Sequence, residues 1–231
     1  MNSSSKYKIE KSLLDSLQNL REALEGDCEA LHALELIEMK LSSGFTGAKG
    51  TKTEKRIERG QGSFLLPNDM EKGPLFFALF SDGACRGNPG PGAWGSLGQD
   101  SEGCLLFEAS GVDFQTTNNQ MELEGAIQAL AELQRSCDES DILFEEAQVY
   151  LYSDSKYVVD GMNQWVVNWK KRGWKKADKK EPENVDRWKR LDELASEFYK
   201  VHFRWVKGHA GHPQNERCDE LANFALDEAG L

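Results

Sequence analysis

An unbroken apolar run from Leu75 to Phe80 limits most strongly what this chain can fold into. A strand without alternating polar residues is typical of the middle of a sheet, because other elements must cover both of its faces. The run is far shorter than the ~18 residues that cross a bilayer, and the N-terminal residues show no apolar signal segment. We therefore expect an α/β domain with a buried central strand and no membrane partner.

The elements around this run predict the rest of the sheet. Apolar segments at 93–97 and 105–109, separated by glycine-containing turns, predict two strands antiparallel to the first. Further strands are predicted at 149–153 and 201–206, and helices at about 118–135, 155–162, 164–171, 185–199 and 215–229. Three meandering strands followed by alternating helices and strands predict a mixed five-stranded sheet with helices on its faces.

The N-terminal third has a different pattern. Leucine and isoleucine recur at three- and four-residue spacing over residues 6–43, which predicts a helical hairpin within 1–43. Residues 44–73 are rich in Gly, Ser, Thr and Lys and predict a flexible linker before a folded domain at 74–231. The two apolar stripes present more apolar surface than a free hairpin should expose to solvent. We therefore expect residues 6–43 to form a homodimer or bind another protein. Packing on its own α/β domain is the alternative.

The charge of the chain is unevenly distributed. The net charge of -11 argues against a nucleic-acid partner, but residues 164–180 contain seven Lys and Arg and one Asp. Trp165, Trp169 and Trp174 are interleaved with these cations. A compact cationic segment with aromatic residues is typical of a nucleic-acid-binding surface, although a solvated charged face is the plainer explanation of a lysine run.

The five cysteines are scattered along the chain and form no C-x-x-C pair. This pattern predicts neither a disulfide framework nor a zinc knuckle. It is typical of proteins in a reducing compartment, so we expect a cytoplasmic location.

Four carboxylates are predicted to converge. Asp82 follows the central strand and Asp154 follows the strand at 149–153, so both lie at one sheet edge if the strands are parallel neighbours. Glu122 and Asp219 lie on the apolar stripes of their helices and should face the sheet. Any one of these acids alone is explained as a cap or surface residue. Four together would repel each other, which a divalent cation relieves, and oxygen ligands favour Mg²⁺ or Mn²⁺ over zinc.

Two loops could bind a ligand near these acids. Residues 83–92 contain many glycines and Asn88, and the polar residues 116–120 precede Glu122 at a helix N-terminus that could receive a phosphate. A hairpin turn and helix capping are the alternatives. His209, in a glycine-containing loop ten residues before Asp219, could shuttle protons, although a lone loop histidine is usually only exposed.

Together these segments resemble the ribonuclease HI family. The resemblance is carried, in order along the chain, by Ser81–Gly92, Thr116–Leu123, Tyr152–Val158, Asn168–Trp174 and Trp205–Ala222. It covers about residues 75–231 and is closest to bacterial members with a basic protrusion. The fold it implies is the ribonuclease H-like fold, which agrees with the mixed five-stranded sheet predicted above.

The function that the resemblance implies is endonucleolytic cleavage of the RNA strand of an RNA–DNA hybrid, giving 5′-phosphate and 3′-hydroxyl products. In that family the positions matching Asp82, Glu122, Asp154 and Asp219 hold two Mg²⁺ ions, with Mn²⁺ as a possible substitute. The position of His209 assists proton transfer and product release. Two alternatives are a DNA-directed nuclease on the same fold and a catalytically inactive protein that binds hybrids.

The resemblance also implies a set of substrate contacts. These are Asn88, Asn118, Asn119, Gln120, Lys156, Trp165, Trp169, Lys170, Lys171, Arg172, Lys175 and Lys176. Family members often have Gln at the position of Lys156, so we expect a phosphate contact there in place of a base-edge contact. We also expect some of the tryptophans to pack the helices of the protrusion. The resemblance implies nothing about residues 1–73, which lack the hybrid-binding module of longer relatives.

Overall fold

The computed structural model describes residues 64–73, 75–140 and 142–231, together with eight isolated positions between Ser16 and Leu34. The chain divides into two compact units, Met1–Glu54 and Lys55–Leu231. Seven of the isolated positions are helical and one lies in a turn. The predicted hairpin and residues 44–63 of the predicted linker otherwise lie outside the described residues.

Five strands form the sheet of the second unit. They are β1 (Phe76–Cys85), β2 (Gly90–Gln99), β3 (Leu105–Thr116), β4 (Gln148–Ser153) and β5 (Lys200–Trp205). Their spatial order is β3-β2-β1-β4-β5, with β1 antiparallel to β2 and parallel to β4. The β2–β3 pair is antiparallel and the β4–β5 pair is parallel. The predicted mixed five-stranded sheet is confirmed, with the apolar run in its central strand.

Helices cover both faces of this sheet. They are α1 (Asn118–Glu139), α2 (Lys156–Asp160), α3 (Val166–Lys171), α4 (Val185–Glu197) and α5 (Pro213–Glu228). α1 packs on β1 and β2 and also contacts α4. Gly83 of β1 faces α1, whereas Gly95 of β2 faces the backbone of α5 at Cys218. Gly95 pairs with Asp82, the neighbour of Gly83 on β1, and neighbouring positions on a strand point to opposite faces. Gly83 and Gly95 therefore face opposite sides of the sheet, and so do α1 and α5.

Two element boundaries differ from the sequence prediction. β1 continues three residues past Asp82 to Cys85, because its antiparallel pairing with β2 runs on to Cys85–Gly92. Its parallel pairing with β4 stops at Phe80–Tyr152. The prediction that Asp82 ends its strand is therefore wrong. Asp82 lies within β1, at the point where β1 and β4 separate.

The helices predicted at 155–162 and 164–171 form one helical stretch, from Lys156 to Lys171. Its middle turn, Gly161–Trp165, is a wider π-type turn. The indole of Trp188 on α4 lies against Gly161, and a Cβ at that position would overlap its ring. The glycine therefore allows α4 to approach the middle of the stretch closely.

Residues 64–73, which we call the strap, differ from the flexible linker expected there. Met70 is buried, and Phe64 and Leu66 pack on the same apolar cluster, which includes Phe80 and Tyr152. The hydroxyl of Tyr152 donates a hydrogen bond to a carboxylate oxygen of Asp69 at 3.0 Å. Three apolar side chains thus join the strap to the sheet face that also carries α5.

The cysteines give a mixed result. Cys85, Cys137 and Cys218 are free. Cys104 is disulfide-bonded, so the cysteine pattern no longer supports a reducing compartment. Among the described residues, no helix is both long and apolar enough to cross a membrane.

Shortening Met70 to alanine tests whether the strap belongs to the folded unit. Met70→Ala should lower the free energy of unfolding by about 2–4 kcal/mol, because it leaves a cavity in the core. Leu65→Ala is the control, since the Leu65 side chain is 93% exposed, and it should change stability by at most about 0.5 kcal/mol. Urea unfolding measures both values. Equal, small effects of the two variants would contradict the packed strap.

Candidate active site

The start of α1 determines where Glu122 lies. The side chain of Thr117 accepts a hydrogen bond from the backbone N–H of Gln120, and Oε1 of Gln120 accepts one from the N–H of Thr117 at 3.1 Å. This reciprocal capping begins the helix directly after β3. A Cβ at Gly83 would overlap the backbone nitrogen of Glu122, so glycine is required for this close approach of α1 to β1. Glu122 is thereby held beside Asp82.

Three carboxylates converge where β1 and β4 separate. One carboxylate oxygen from each of Asp82, Glu122 and Asp154 lies within 4.8 Å of the others. Asp82 and Glu122 are only 8% and 7% exposed, and Asp154 is half-buried. Convergence of these three predicted site residues is therefore observed.

Burial and mutual repulsion disfavour the charged forms of these acids. Burial, followed by the charge of Asp154, raises the pKa of Asp82 to about 7, although the N–H of Gly83 donates to Asp82 at 2.7 Å. Burial, with the charges of Asp82 and Asp154, raises the pKa of Glu122 well above its ordinary value. The side-chain amide of Asn118 opposes this shift by donating to Oε1 of Glu122 at 3.2 Å. The site therefore favours protons or a cation.

The donor set fits a divalent cation. Oε2 of Glu122 is buried and has no hydrogen-bond partner, an arrangement that is costly unless a ligand occupies it. All three side chains offer carboxylate oxygens, the ligands preferred by Mg²⁺ and Mn²⁺.

Asp219, the fourth predicted acid, lies beside the cluster rather than in it. It is half-buried on α5, and its Oδ1 accepts a hydrogen bond from Asn223 at 2.8 Å. Its charge contributes to the raised pKa of Asp82, so it lies near that carboxylate. It is absent from the group of oxygens within 4.8 Å, and its role as a ligand stays a prediction.

Residues after β5 surround Asp154. The indole N–H of Trp205 donates to the backbone carbonyl of Asp154 at 2.9 Å, and the side-chain amide of Asn215 lies 3.5 Å from its Oδ2. A Cβ at Gly208 would overlap the Asp154 carboxylate. The next residue, His209, is exposed and has a positive φ of 50°. The structure thus places this loop against Asp154 with His209 at the border of the site.

Sequence reasoning did not single out Asn215 or Trp205 as site residues. Asn215 lies four residues before Asp219 on α5, so the two share a helix face. That spacing could have predicted Asn215 once Asp219 was placed at the site. The hydrogen bond from Trp205 depends on the turn after β4 and has no comparable signal in the sequence.

The polar residues at the start of α1 are only partly free to bind substrate. Oδ1 of Asn88 accepts a hydrogen bond from the backbone N–H of Asn118 at 3.3 Å, which joins the β1–β2 turn to the site. Asn119 is exposed, whereas the side-chain oxygen of Gln120 is used in capping the helix. Lys156 is exposed, and its ammonium lies 4.9 Å from the ring centroid of Trp205.

The cationic segment separates into packed and free residues. Trp165 and Trp169 are half-buried and pack on the buried Trp188, with ring centroids 6.3 and 5.7 Å away. Lys170 forms an ion pair with Asp192 at 2.7 Å. The other predicted contacts are exposed or half-exposed: Lys171, Arg172, Lys175 and Lys176. The two tryptophans therefore form the base of the segment.

The site consists of three acids at the point where two parallel strands separate, and one of their buried oxygens has no hydrogen-bond partner. Metal-dependent phosphodiester hydrolases use sites of this kind. Comparison with known proteins identifies the group. Residues 76–227 match the RNase H family. With 152 of the chain's residues inside this match, the chain belongs to the RNase H family.

The matches to individual relatives cover nearly the full length of each relative. The chain is 50% identical over 155 residues to a Ribonuclease H of Pseudomonas savastanoi pv. phaseolicola, covering 65% of this chain and 92% of that protein. It is 51% identical to a Ribonuclease H of Alcanivorax borkumensis, covering 65% and 91%. Among solved structures, LC11-RNase H1 in complex with RNA/DNA hybrid is similar with a TM-score of 0.53 and 29% identity, covering 67% of this chain and 99% of that chain.

The raised pKa of Asp82 predicts how stability depends on pH without metal. The folded protein binds a proton at Asp82 more tightly than the unfolded chain does. The resulting stabilisation is complete below the ordinary pKa of 3.8 and is lost as the pH rises through about 7. Asp82→Asn removes the effect. In EDTA, raising the pH from about 5 to about 8 should therefore destabilise the unsubstituted protein more than the variant. The difference between their free energies of unfolding should change by on the order of 2 kcal/mol in favour of the variant.

Urea unfolding at both pH values measures this difference, and Asp138→Asn on the exposed end of α1 is a matched control. Parallel pH profiles for Asp82→Asn and the unsubstituted protein would show that the carboxyl group of Asp82 carries no raised pKa.

Proposed function

We propose that the protein is an endonuclease that hydrolyses the RNA strand of RNA–DNA hybrids and leaves 5′-phosphate and 3′-hydroxyl ends. The observation that carries the proposal is the convergence of Asp82, Glu122 and Asp154 with an unpaired buried oxygen on Glu122. Support comes from relatives of about half identity named Ribonuclease H and from a similar structure, LC11-RNase H1, in complex with an RNA/DNA hybrid.

The metal ligands would be Asp82, Glu122 and Asp154, with Asp219 beside them, and the expected cofactor is two Mg²⁺ ions, with Mn²⁺ as a substitute. When bound, the ions lower the pKa of the attacking water and stabilise the leaving 3′ oxygen. Asp82 and Glu122 have raised pKa values, so metal binding would displace protons from them.

Neighbouring side-chain amides and one backbone N–H would orient these carboxylates. Asn118 donates to Oε1 of Glu122 and leaves Oε2 free, and Gly83 donates to Oδ1 of Asp82. Asn215 lies against Oδ2 of Asp154. His209, exposed in its loop, would accept or return a proton through its imidazole at the border of the site.

The substrate would lie across the site and the cationic segment. Asn118 and Asn119 lie at the start of α1, and Asn88 of the β1–β2 turn is bonded to it; there they could contact the 2′-hydroxyls that distinguish RNA from DNA in the shallow minor groove. The phosphates of the DNA strand would bind the free cations Lys171, Arg172, Lys175 and Lys176. Lys156, held over Trp205, would make a further phosphate contact. Trp165 and Trp169 would support these residues from below.

Two further expectations belong to this proposal. We place the activity in the cytoplasm, because the relatives named Ribonuclease H come from bacteria, whose DNA lies in that compartment. We also propose that residues 6–43 bind a second copy of the chain or another protein, since their leucine stripes need a partner.

The function is tested by offering end-labelled RNA–DNA, RNA–RNA and DNA–DNA duplexes of one sequence with Mg²⁺. The proposal expects cleavage of the RNA strand of the hybrid alone. Cleavage of the DNA duplex would indicate a DNA-directed nuclease, and binding without cleavage would indicate an inactive hybrid-binding protein.

Replacing Asp154 by asparagine tests the carboxylate site. Asp154→Asn should reduce cleavage of the hybrid by at least about 10³-fold, because metal binding needs its charge. Hybrid binding, measured by fluorescence anisotropy, should be equal or tighter, because repulsion of the phosphates falls. Asp138→Asn should leave both unchanged. Turnover of Asp154→Asn within tenfold of the unsubstituted protein would contradict the site.

The salt dependence of binding tests the cationic segment. Replacing Lys171, Lys175 and Lys176 by alanine should flatten the slope of log K against log salt by about 0.7–0.9 for each phosphate that the variant no longer neutralises. Lys170→Ala should change the slope less, because Asp192 already pairs with Lys170. Lys72→Ala, at the exposed end of the strap, is the control. A triple variant with an unchanged slope would show that the segment binds no phosphate.

A further inference from the structure

A buried hydrogen-bond network joins the strap to the first turn of α5. The side-chain amide of Gln214, which is 3% exposed, donates to the backbone carbonyl of Leu65 at 2.8 Å and to Oε1 of Gln99 at 3.1 Å. The amide of the fully buried Gln99 donates in turn to the carbonyl of Phe64 at 3.0 Å and to that of Gly103 at 2.6 Å. Two successive peptide carbonyls of the strap therefore accept hydrogen bonds from this pair of glutamines.

The chemistry of the network requires two hydrogen-bond donors at position 214. Its partners, the carbonyl of Leu65 and Oε1 of Gln99, are both acceptors, so the side chain of Gln214 must supply both donors. An apolar side chain would leave two buried oxygens without a partner, and a carboxylate would add repulsion. The network therefore specifies both the residue type and its position.

The first turn of α5 carries a residue that contacts one of the carboxylates. Gln214 is followed by Asn215, whose amide lies 3.5 Å from Oδ2 of Asp154, and five residues later by Asp219. Beyond this turn the helix is held on the sheet by Arg217, which pairs with Glu108 of β3 at 2.8 Å, and by Cys218, whose carbonyl lies against Gly95. Without the bonds of Gln214 the residues before Arg217 would lose their tie to the strap, and Asn215 could shift away from Asp154.

The strap is also anchored at points away from Gln214. Met70 is buried in the sheet cluster, and Asp69 accepts the hydrogen bond from Tyr152 and pairs with Arg204 at 3.7 Å. The strap lies before residue 76, where the match to the RNase H family begins. The position of α5 is thus held in part by residues outside the family segment.

We propose that Gln214 is a positioning residue for the metal site, acting through the carbonyl of Leu65 and the side chain of Gln99. It holds the first turn of α5 so that Asn215 stays against Oδ2 of Asp154 in the arrangement that cation binding needs. This inference rests on the proposed metal site. It assigns to the strap a role in metal affinity, in addition to its part in the core.

The test compares full-length variants in Mg²⁺ binding without nucleic acid. Gln214→Met keeps the length and packing of the side chain but removes both donors. It should weaken Mg²⁺ affinity, measured by calorimetry, on the order of tenfold. Leu65→Ala keeps the accepting carbonyl and removes an exposed side chain, so its affinity should stay within about twofold of the unsubstituted protein. All proteins are measured at a temperature where each is fully folded.

Kinetics give a second measurement that a general loss of stability would not reproduce. In Gln214→Met the Mg²⁺ concentration for half-maximal cleavage should rise, while KM for the hybrid at saturating Mg²⁺ stays unchanged. Gln214→Asn keeps the amide one methylene short of its acceptors and takes the place of Gln214→Met if that protein does not fold. It should weaken Mg²⁺ affinity in the same direction.

Other results would overturn the inference. A Gln214 variant with a lowered Tm but unchanged Mg²⁺ affinity would show that the network only stabilises the fold. An equal loss in Leu65→Ala would assign the effect to the strap surface. If the unsubstituted protein bound no Mg²⁺, the proposed metal site would fail first and this inference with it.

Discussion

Three carboxylates with oxygens within 4.8 Å of one another repel each other, and the burial of two of them adds to the cost. The fold holds them together with contacts that do not involve their charges. Gly83 lets α1 approach β1, the capping of α1 by Thr117 sets where Glu122 falls, and the separation of β1 from β4 leaves room between Asp82 and Asp154. The stability of the core thus offsets a repulsion that a bound cation would remove.

The sheet and most of this cluster could be predicted from local patterns. The apolar run predicted the central strand, and the apolar stripe of α1 predicted that Glu122 faces inward. Asp82 was expected at the end of its strand, and this was wrong. Gly83, Ala84 and Cys85 have small side chains that show no strand pattern, so only the pairing with β2 reveals that β1 continues. The predicted position of the site is nevertheless observed, because β4 separates from β1 at this edge although β1 itself continues.

Contacts between distant segments could not be predicted. The strap is too short to show a periodic pattern, and Met70 is buried and Leu66 partly buried only because the sheet presents an apolar cluster beneath them. The cationic segment shows the same limit. Its sequence does not distinguish Lys170, paired with Asp192, from Lys171, which is exposed. Nor does it show that Trp188 of α4 packs on both Trp165 and Trp169.

The number of protons released when Mg²⁺ binds tests the central claim most directly. Calorimetry at about pH 6, in buffers with different ionisation enthalpies, measures that number without substrate or turnover. Because the pKa of Asp82 is about 7, binding should release on the order of one proton from Asp82, and the raised pKa of Glu122 acts in the same direction. The release should fall in Asp82→Asn. Mg²⁺ binding with no proton release would contradict a cation site formed by these buried carboxylates.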